Sequence, residues 1–222
     1  MINLEIVTGY VPIPKHPRSS EEYGELGEKI FKPLTSALVP IRPFYEKLEA
    51  CWLWNSLKLV PFGVDPVTGD NPQKNTLMYH SVQHQKFRWL CYAAYHDPMP
   101  DTFVWIDYGI GHVPGVTAEV IYKFLEEIKR DDFAIPGCWP KGQKFDNYPC
   151  WRFCGGLMVV PRRQVESLYL KIREETTHHL VTHRKVTWEV NSLAAIEPLL
   201  PVRWYHADHN ETMFTNYAKD LK

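Results

Sequence analysis

Short apolar runs alternate along the chain with stretches of helical period. Leu4 to Val11 reads as a buried strand that ends at Pro12 and Pro14. Ser19, with Glu22 three residues on, fits a capping box, and Tyr23, Leu26, Ile30 and Phe31 give the helix that follows an apolar face. Pro33 and Pro40 break that pattern. Pro43 to Leu57 is ambiguous, with helix favoured, and Gly63 to Asn75 has the composition of a loop. Leu77 to Tyr95 predicts a helix with Val82, Trp89, Leu90 and Ala93 near one face and Lys86 as its polar exception. Thr102 to Ile106 is almost continuously apolar, as a strand covered on both faces is. Ile121, Phe124, Leu125 and Ile128 place a helix from Thr117 to Arg130. Strands follow at Phe133–Ile135 and Phe153–Val160. Pro161 then opens a helix with Val165, Leu168 and Ile172 on its apolar face. A short helix over Thr187–Ile196 and a strand over Val202–Tyr205 complete the order. This alternation predicts the α/β class: one domain over residues 1–222, with a mostly parallel central sheet flanked by helices.

Composition narrows the function classes. Lys plus Arg total 25 against 26 for Asp plus Glu, a formal charge of −1, so bulk electrostatics do not point to nucleic acid or anionic membrane. Local basic patches at Lys15, His16 and Arg18, or at Arg162 and Arg163, remain candidates for phosphate contacts. Aromatic residues reach 14%, which serves core packing first and leaves room for stacking on sugars and bases. Five cysteines without paired spacing are expected to be reduced and mostly buried, as in a cytosolic compartment. The opening residues lack the basic region of a signal peptide, and no apolar run approaches the ~18 residues of a membrane span.

Candidate chemistry gathers in four stretches. Asp107-Tyr108-Gly109 closes the strand Thr102–Ile106, where open α/β sheets bind ligands. A carboxylate there suits a hard divalent cation, or it caps a turn. Trp151-Arg152-Phe153-Cys154-Gly155-Gly156 opens a strand with a Gly pair, which marks a bulge or a close ligand approach. Arg152 there suits a phosphate or a carboxylate partner. Trp188-Glu189 begins a short helix, where an acid complements the dipole or serves as a general base. His206, Asp208 and His209 end the last strand and offer metal ligands. They match half of the His-x-His-x-Asp-His signature of metallo-hydrolases, with Trp204 in place of its first His. His80 and His84 are four apart with no acid between them in the metalloprotease position, and are expected at the surface. His178, His179 and His183 lie at a helix end, where positive charge complements the dipole.

Together these stretches resemble a small GT-A-fold nucleotide-sugar glycosyltransferase of the bacterial HtrL/YibB type and related phage or viral sugar transferases. The segments that carry the resemblance are Ile6-Val7-Thr8-Gly9-Tyr10, His84 to Leu90, Asp101 to Ile110 with its Trp-Ile-Asp-x-Gly element, Phe153 to Leu157, Trp188-Glu189, and Tyr205 to Tyr217. The resemblance implies a nucleoside-diphosphate sugar donor, UDP-sugar favoured, held with Mn²⁺ or Mg²⁺. Asp107 would be the remaining acid of an Asp-x-Asp motif whose second position is Gly109 here, with His209 or His206 as a further ligand. Thr8, Gly9 and Tyr10 would contact base and ribose, with Tyr108 and Gly109 beside them. Lys86 or Arg88 would reach the phosphates, and Trp151, Gly155, Gly156 and Trp188 would shape the sugar and acceptor site. Glu189 would be the base of an inverting transfer or would stabilise an oxocarbenium-like state in a retaining one. A glycan, a protein and a modified DNA base all remain open as acceptors. The alternatives are a metal-dependent hydrolase and a nucleotide-sugar-binding protein without activity.

Overall fold

A computed structural model describes residues 3–14, 16, 18–58, 61–69, 71–143 and 148–219. Its strands are β1 (Leu4–Tyr10), β2 (Ile41–Tyr45), β3 (Gly63–Asp65), β4 (Thr102–Ile106), β5 (Ala134–Gly137), β6 (Leu157–Pro161), β7 (Lys185–Thr187) and β8 (Arg203–His206). Its helices are α1 (Ser20–Ser36), α2 (Trp52–Leu57), α3 (Leu77–His96), α4 (Ala118–Glu127), α5 (Arg162–His183), α6 (Glu189–Ile196) and α7 (Thr212–Thr215).

Six strands form the central sheet in the order β2-β1-β4-β6-β5-β8. Five share one direction and β6 alone runs against them. The apolar run of β4 is explained by its place: it lies between β1 and β6, and all five residues are buried. Strand alternation sends Val104 and Ile106 to one face and Phe103 and Trp105 to the other. On the first face they meet Ile30 and Leu34 of α1, Ile121 and Phe124 of α4 and Phe214 of α7. On the second they meet Phe87, Trp89 and Leu90 of α3, Val165, Leu168 and Ile172 of α5 and Leu193 of α6. The expected α/β class with a mostly parallel, helix-flanked sheet is therefore present, with the fold likeness given below.

The structure departs from the sequence reading in several places. Residues 41–45 form β2 although Pro43 lies within it. This is an edge strand, beside β1 only, where a missing N–H costs no ladder bond on the open side. Pro33 sits inside α1, three residues before its end, and burial of Ile30, Phe31 and Leu34 holds the last turn in place. The loop expected at Gly63–Asn75 contributes β3, which pairs in parallel with β7. The strand expected from Phe153 begins only at Leu157, α4 stops at Glu127 rather than Arg130, and α6 starts at Glu189 rather than Thr187.

His80 and His84 are fully buried, contrary to the surface expectation. α3 packs against α2, α5, α6 and the sheet, so its polar positions point inward as well. Burial pushes His80 down to about 3 and lowers His84 too. All five cysteines are free, and Cys51 and Cys154 are buried. Arg152 is buried and forks onto Glu197, with Nη2 to Oε1 at 2.6 Å, so its partner is a carboxylate within the fold. The capping box of Ser19 and Glu22 is present. No helix among the described residues is long and apolar enough to cross a membrane.

Candidate functional site

Parallel strands deliver their carboxyl ends to one edge of the sheet, and β6, running the other way, brings its amino end to the same edge. A cleft opens there between the ends of β1 and β4, the turn before β6 and the start of α6. It is lined by Gly9, Tyr10, Lys86, Trp105, Asp107, Tyr108, Gly109, Trp151, Gly155, Gly156, Trp188, Glu189 and His209. These residues come from six separate stretches of sequence, and all but Trp105 are positions singled out from the sequence.

Asp107 directly follows β4 and its N–H donates to Gly156 O at 3.0 Å, which ties the acid to the Gly pair. Its side chain does not cap a turn. Trp105 Nε1 donates to Asp107 Oδ1 at 2.7 Å and Lys86 Nζ lies 3.4 Å from the same oxygen. Both partners reach Oδ1, so Oδ2 is turned to the cleft beside Gly156.

Lys86 is the polar exception of α3 and the centre of the site. Its ammonium donates to Gly155 O at 2.8 Å and to Glu189 Oε1 at 3.2 Å, and it lies 5.7 Å from the centre of the Trp105 ring. Burial alone would lower its pKa, but Asp107 and Glu189 outweigh burial and raise it. Lys86 thus stays charged at 2% exposure, with protein acceptors around it. Glu189 stands at the first position of α6, almost fully buried, and its second oxygen, Oε2, has no partner among the described residues. A Cβ at Gly155 would overlap Glu189 Oε1, so this corner exists because residue 155 is glycine. Gly9 plays the same part for Trp89, whose ring occupies the space a side chain would need.

Some expected positions are not brought in. Thr8 is buried and outside the cleft lining. Arg88 points the other way and donates to Ala50 O and to the Tyr92 hydroxyl. His206 is exposed at the end of β8 while Tyr205 and Ala207 pack into the core, and it stays outside the cleft lining that includes His209. Asp208 is also exposed. His206, Asp208 and His209 therefore do not converge, and no group of three or more His, Cys, Asp or Glu among the described residues could hold a metal ion. Arg162 is engaged by the carbonyls of Ala94, Asp97 and Pro100, and Arg163 pairs with Asp131 at 2.9 Å, away from the cleft. Lys15 lies outside the described residues.

Other lining residues were not expected there. Tyr23, Lys74, Tyr79, Gln83 and His112 join His16 and Arg18 on the outer wall. Tyr23 had been read as part of the apolar face of α1, and its ring packs where a Cβ of Gly109 would lie. Tyr10 meets Tyr23 at 5.1 Å and Tyr108 at 5.7 Å between ring centres, an aromatic wall suited to a flat or sugar-bearing ligand. Lys74 sits in a turn of loop composition, where nothing in the sequence marked it.

Comparison with solved structures supports the fold. A glycosyltransferase involved in the glycosylation of the major capsid of PBCV-1 superposes with a TM-score of 0.51, at 15% identity, over 93% of this chain and 81% of its own. A 4-diphosphocytidyl-2C-methyl-D-erythritol synthase from Anaerococcus prevotii gives a TM-score of 0.38 at 11% identity, over 99% of this chain and 95% of its own. No protein-family model matches the sequence, and no curated protein matches it.

Proposed function

We propose that the chain is a nucleotide-sugar glycosyltransferase that moves a sugar from a nucleoside diphosphate to a hydroxyl acceptor. One observation carries this reading above the others. Asp107, Lys86, Glu189 and the Gly155–Gly156 turn meet in one cleft at the carboxyl ends of β1 and β4. The likeness in fold to the glycosyltransferase involved in capsid glycosylation supports the reading at the level of fold. A narrower kinship with the HtrL/YibB type belongs to the proposal and rests on the Trp105-Ile106-Asp107-x-Gly109 element.

Each residue then has a physical task. Tyr10, Tyr23 and Tyr108 offer stacking faces to base and ribose. UDP is the first base to try. Asp107 Oδ2 and a ring nitrogen of His209 are the donors for Mn²⁺ or Mg²⁺. The fit is supported by the position of Oδ2 beside Gly156 and by the partial desolvation that lowers the His209 pKa and so favours the neutral imidazole, though His209 is exposed at its surface. With Gly109 in place of a second acid, Asp107 and His209 alone would hold the cation from the protein side. When bound, the cation supplies charge stabilisation for the departing diphosphate. Lys86 fixes Glu189 in place at 3.2 Å, and Glu189 takes the acceptor hydroxyl proton. Gly156 lets donor and acceptor approach the backbone, Gly155 makes room for Glu189, and Trp151 and Trp188 wall the acceptor end. A glycan, a protein hydroxyl or a modified DNA base is the acceptor.

The test is release of nucleoside diphosphate from a panel of UDP-, GDP- and CDP-sugars with Mn²⁺, for the wild type and Glu189→Gln. The wild type should turn over at least one donor, and Glu189→Gln should lose about 100-fold or more. Equal rates in both proteins, or no turnover of any donor, would contradict the reading.

A further inference from the structure

The cleft holds three cations, and only one is neutralised. Lys86 is surrounded by Gly155 O, Glu189 and Asp107. Arg18 and Lys74 line the outer wall, and among the described residues neither has a carboxylate within ion-pair distance.

Both are held in place by aromatic faces rather than by acids. Arg18 lies 5.9 Å from the centre of the Tyr23 ring and Lys74 lies 5.7 Å from that of Tyr79. His16 joins the two. Its ring stacks parallel to Tyr79 at 6.3 Å and tilts on Tyr23 at 5.4 Å, while its Nδ1 accepts from the Arg18 N–H at 3.2 Å. Burial first, and then the charges of Arg18 and Lys74, hold the His16 pKa below its ordinary value. Lys74 in turn is pushed down by burial and by Arg18, against the opposing pull of Glu189 and Asp107, so the two cations feel one another. Like charges brought together and half-buried cost free energy in the empty protein, and an anion between them removes that cost.

We propose that Arg18 and Lys74 form a diphosphate clamp in the cleft that Asp107 also lines. The assignment rests on the nucleotide-sugar reading for the identity of the anion. A departing nucleoside diphosphate carries more negative charge than one divalent cation neutralises, and the acids Asp107 and Glu189 add to that excess. The guanidinium of Arg18 offers a planar fork to two phosphate oxygens, and the Lys74 ammonium offers a point charge. The clamp supplies charge that a site with one acid at Asp107, and Gly109 beyond it, does not recruit through metal alone. Arg18 and Lys74 are thereby binding residues for the donor and stabilise its leaving group.

The experiment is calorimetric titration of the whole chain with inorganic pyrophosphate and with UDP, in EDTA at low ionic strength. The proteins are the wild type, Arg18→Gln/Lys74→Gln, Lys74→Arg and Asp107→Asn. Wild type should bind pyrophosphate, and the double variant should bind it at least about tenfold more weakly. Lys74→Arg should retain binding, and Asp107→Asn should bind as well as wild type or better, because a nearby negative charge is gone. Added salt should weaken binding in the wild type more than in the double variant. No pyrophosphate binding by the wild type, or equal binding by the double variant with an unchanged melting temperature, would overturn the clamp. Pyrophosphate binding lost in the double variant, with no preference for any nucleoside diphosphate, would keep the anion clamp and remove the nucleotide-sugar reading instead.

Discussion

Lys86 Nζ and Glu189 Oε1 stand 3.2 Å apart, joined across 103 residues of chain, and both side chains are almost completely buried. An ion pair in that position is costly to assemble and costlier to break. Replacing Lys86 with Met would leave Glu189 buried beside Asp107 with no compensating charge. Lys86→Met should therefore lower stability by about 3–5 kcal/mol. Lys86→Met/Glu189→Gln should recover part of that loss, because the orphaned charge is gone. Urea denaturation of the single and double variants reads this directly, and additive losses would show that the pair is not coupled.

Gly155 should tolerate no side chain. A Cβ there overlaps Glu189 Oε1 and lies 3.2 Å from Lys86 Nζ. Neither group can retreat easily, since both are buried and hydrogen-bonded. Gly155→Ala should cost about 1–3 kcal/mol and abolish donor turnover. Gly24, whose Cβ meets nothing within 4 Å, provides the control: Gly24→Ala should be neutral or slightly stabilising.

Acid should destabilise the fold through its buried histidines. Burial holds His80 at about 3 against an ordinary 6.5. Between those values the unfolded chain binds a proton that the native state does not, so stability rises with pH across that window. The contribution is complete above pH 6.5 and is lost as pH falls below it. His84 and His179 shift in the same direction and add to the slope. Neither ring nitrogen of His80 has a hydrogen-bond partner among the described residues. His80→Phe should therefore leave stability at pH 7 unchanged or raised, and flatten the slope by up to about 1.4 kcal/mol per pH unit. Urea midpoints measured from pH 7 to pH 5 would show it. An unchanged slope would mean that His80 titrates normally.

The fold and the candidate site were legible to different depths. β4 was readable to the residue because a strand covered on both faces has no polar alternation to blur it. β2 was hidden by Pro40 and Pro43, which argue against a strand everywhere except at a sheet edge. Only the pairing order reveals an edge. The three-residue strands β3 and β7 are too short to carry a period. Asp107, Gly155, Gly156 and Glu189 stood out because each breaks its local pattern at the end of an element. Lys86 broke the apolar face of α3, and the structure supplies the reason. Arg18 and Lys74 were not tied to the same site, because only tertiary folding brings a residue of the loop after β1 into one cleft with one in the turn before α3. His80 and His84 were misplaced because a helix buried on several sides shows no polar face to solvent.

The most direct test of the site is thermal unfolding with UDP, GDP, CDP and ADP, each with Mn²⁺, Mg²⁺ or EDTA, for the wild type and Asp107→Asn. A ligand at ~100 times its dissociation constant adds about 2.7 kcal/mol, a rise of a few degrees for a domain of this size. At least one nucleoside diphosphate should raise the wild-type melting temperature more with Mn²⁺ or Mg²⁺ than with EDTA. That metal-dependent increment should vanish in Asp107→Asn. A flat response to every nucleotide, or an identical increment in Asp107→Asn, would contradict a nucleoside-diphosphate site built on Asp107.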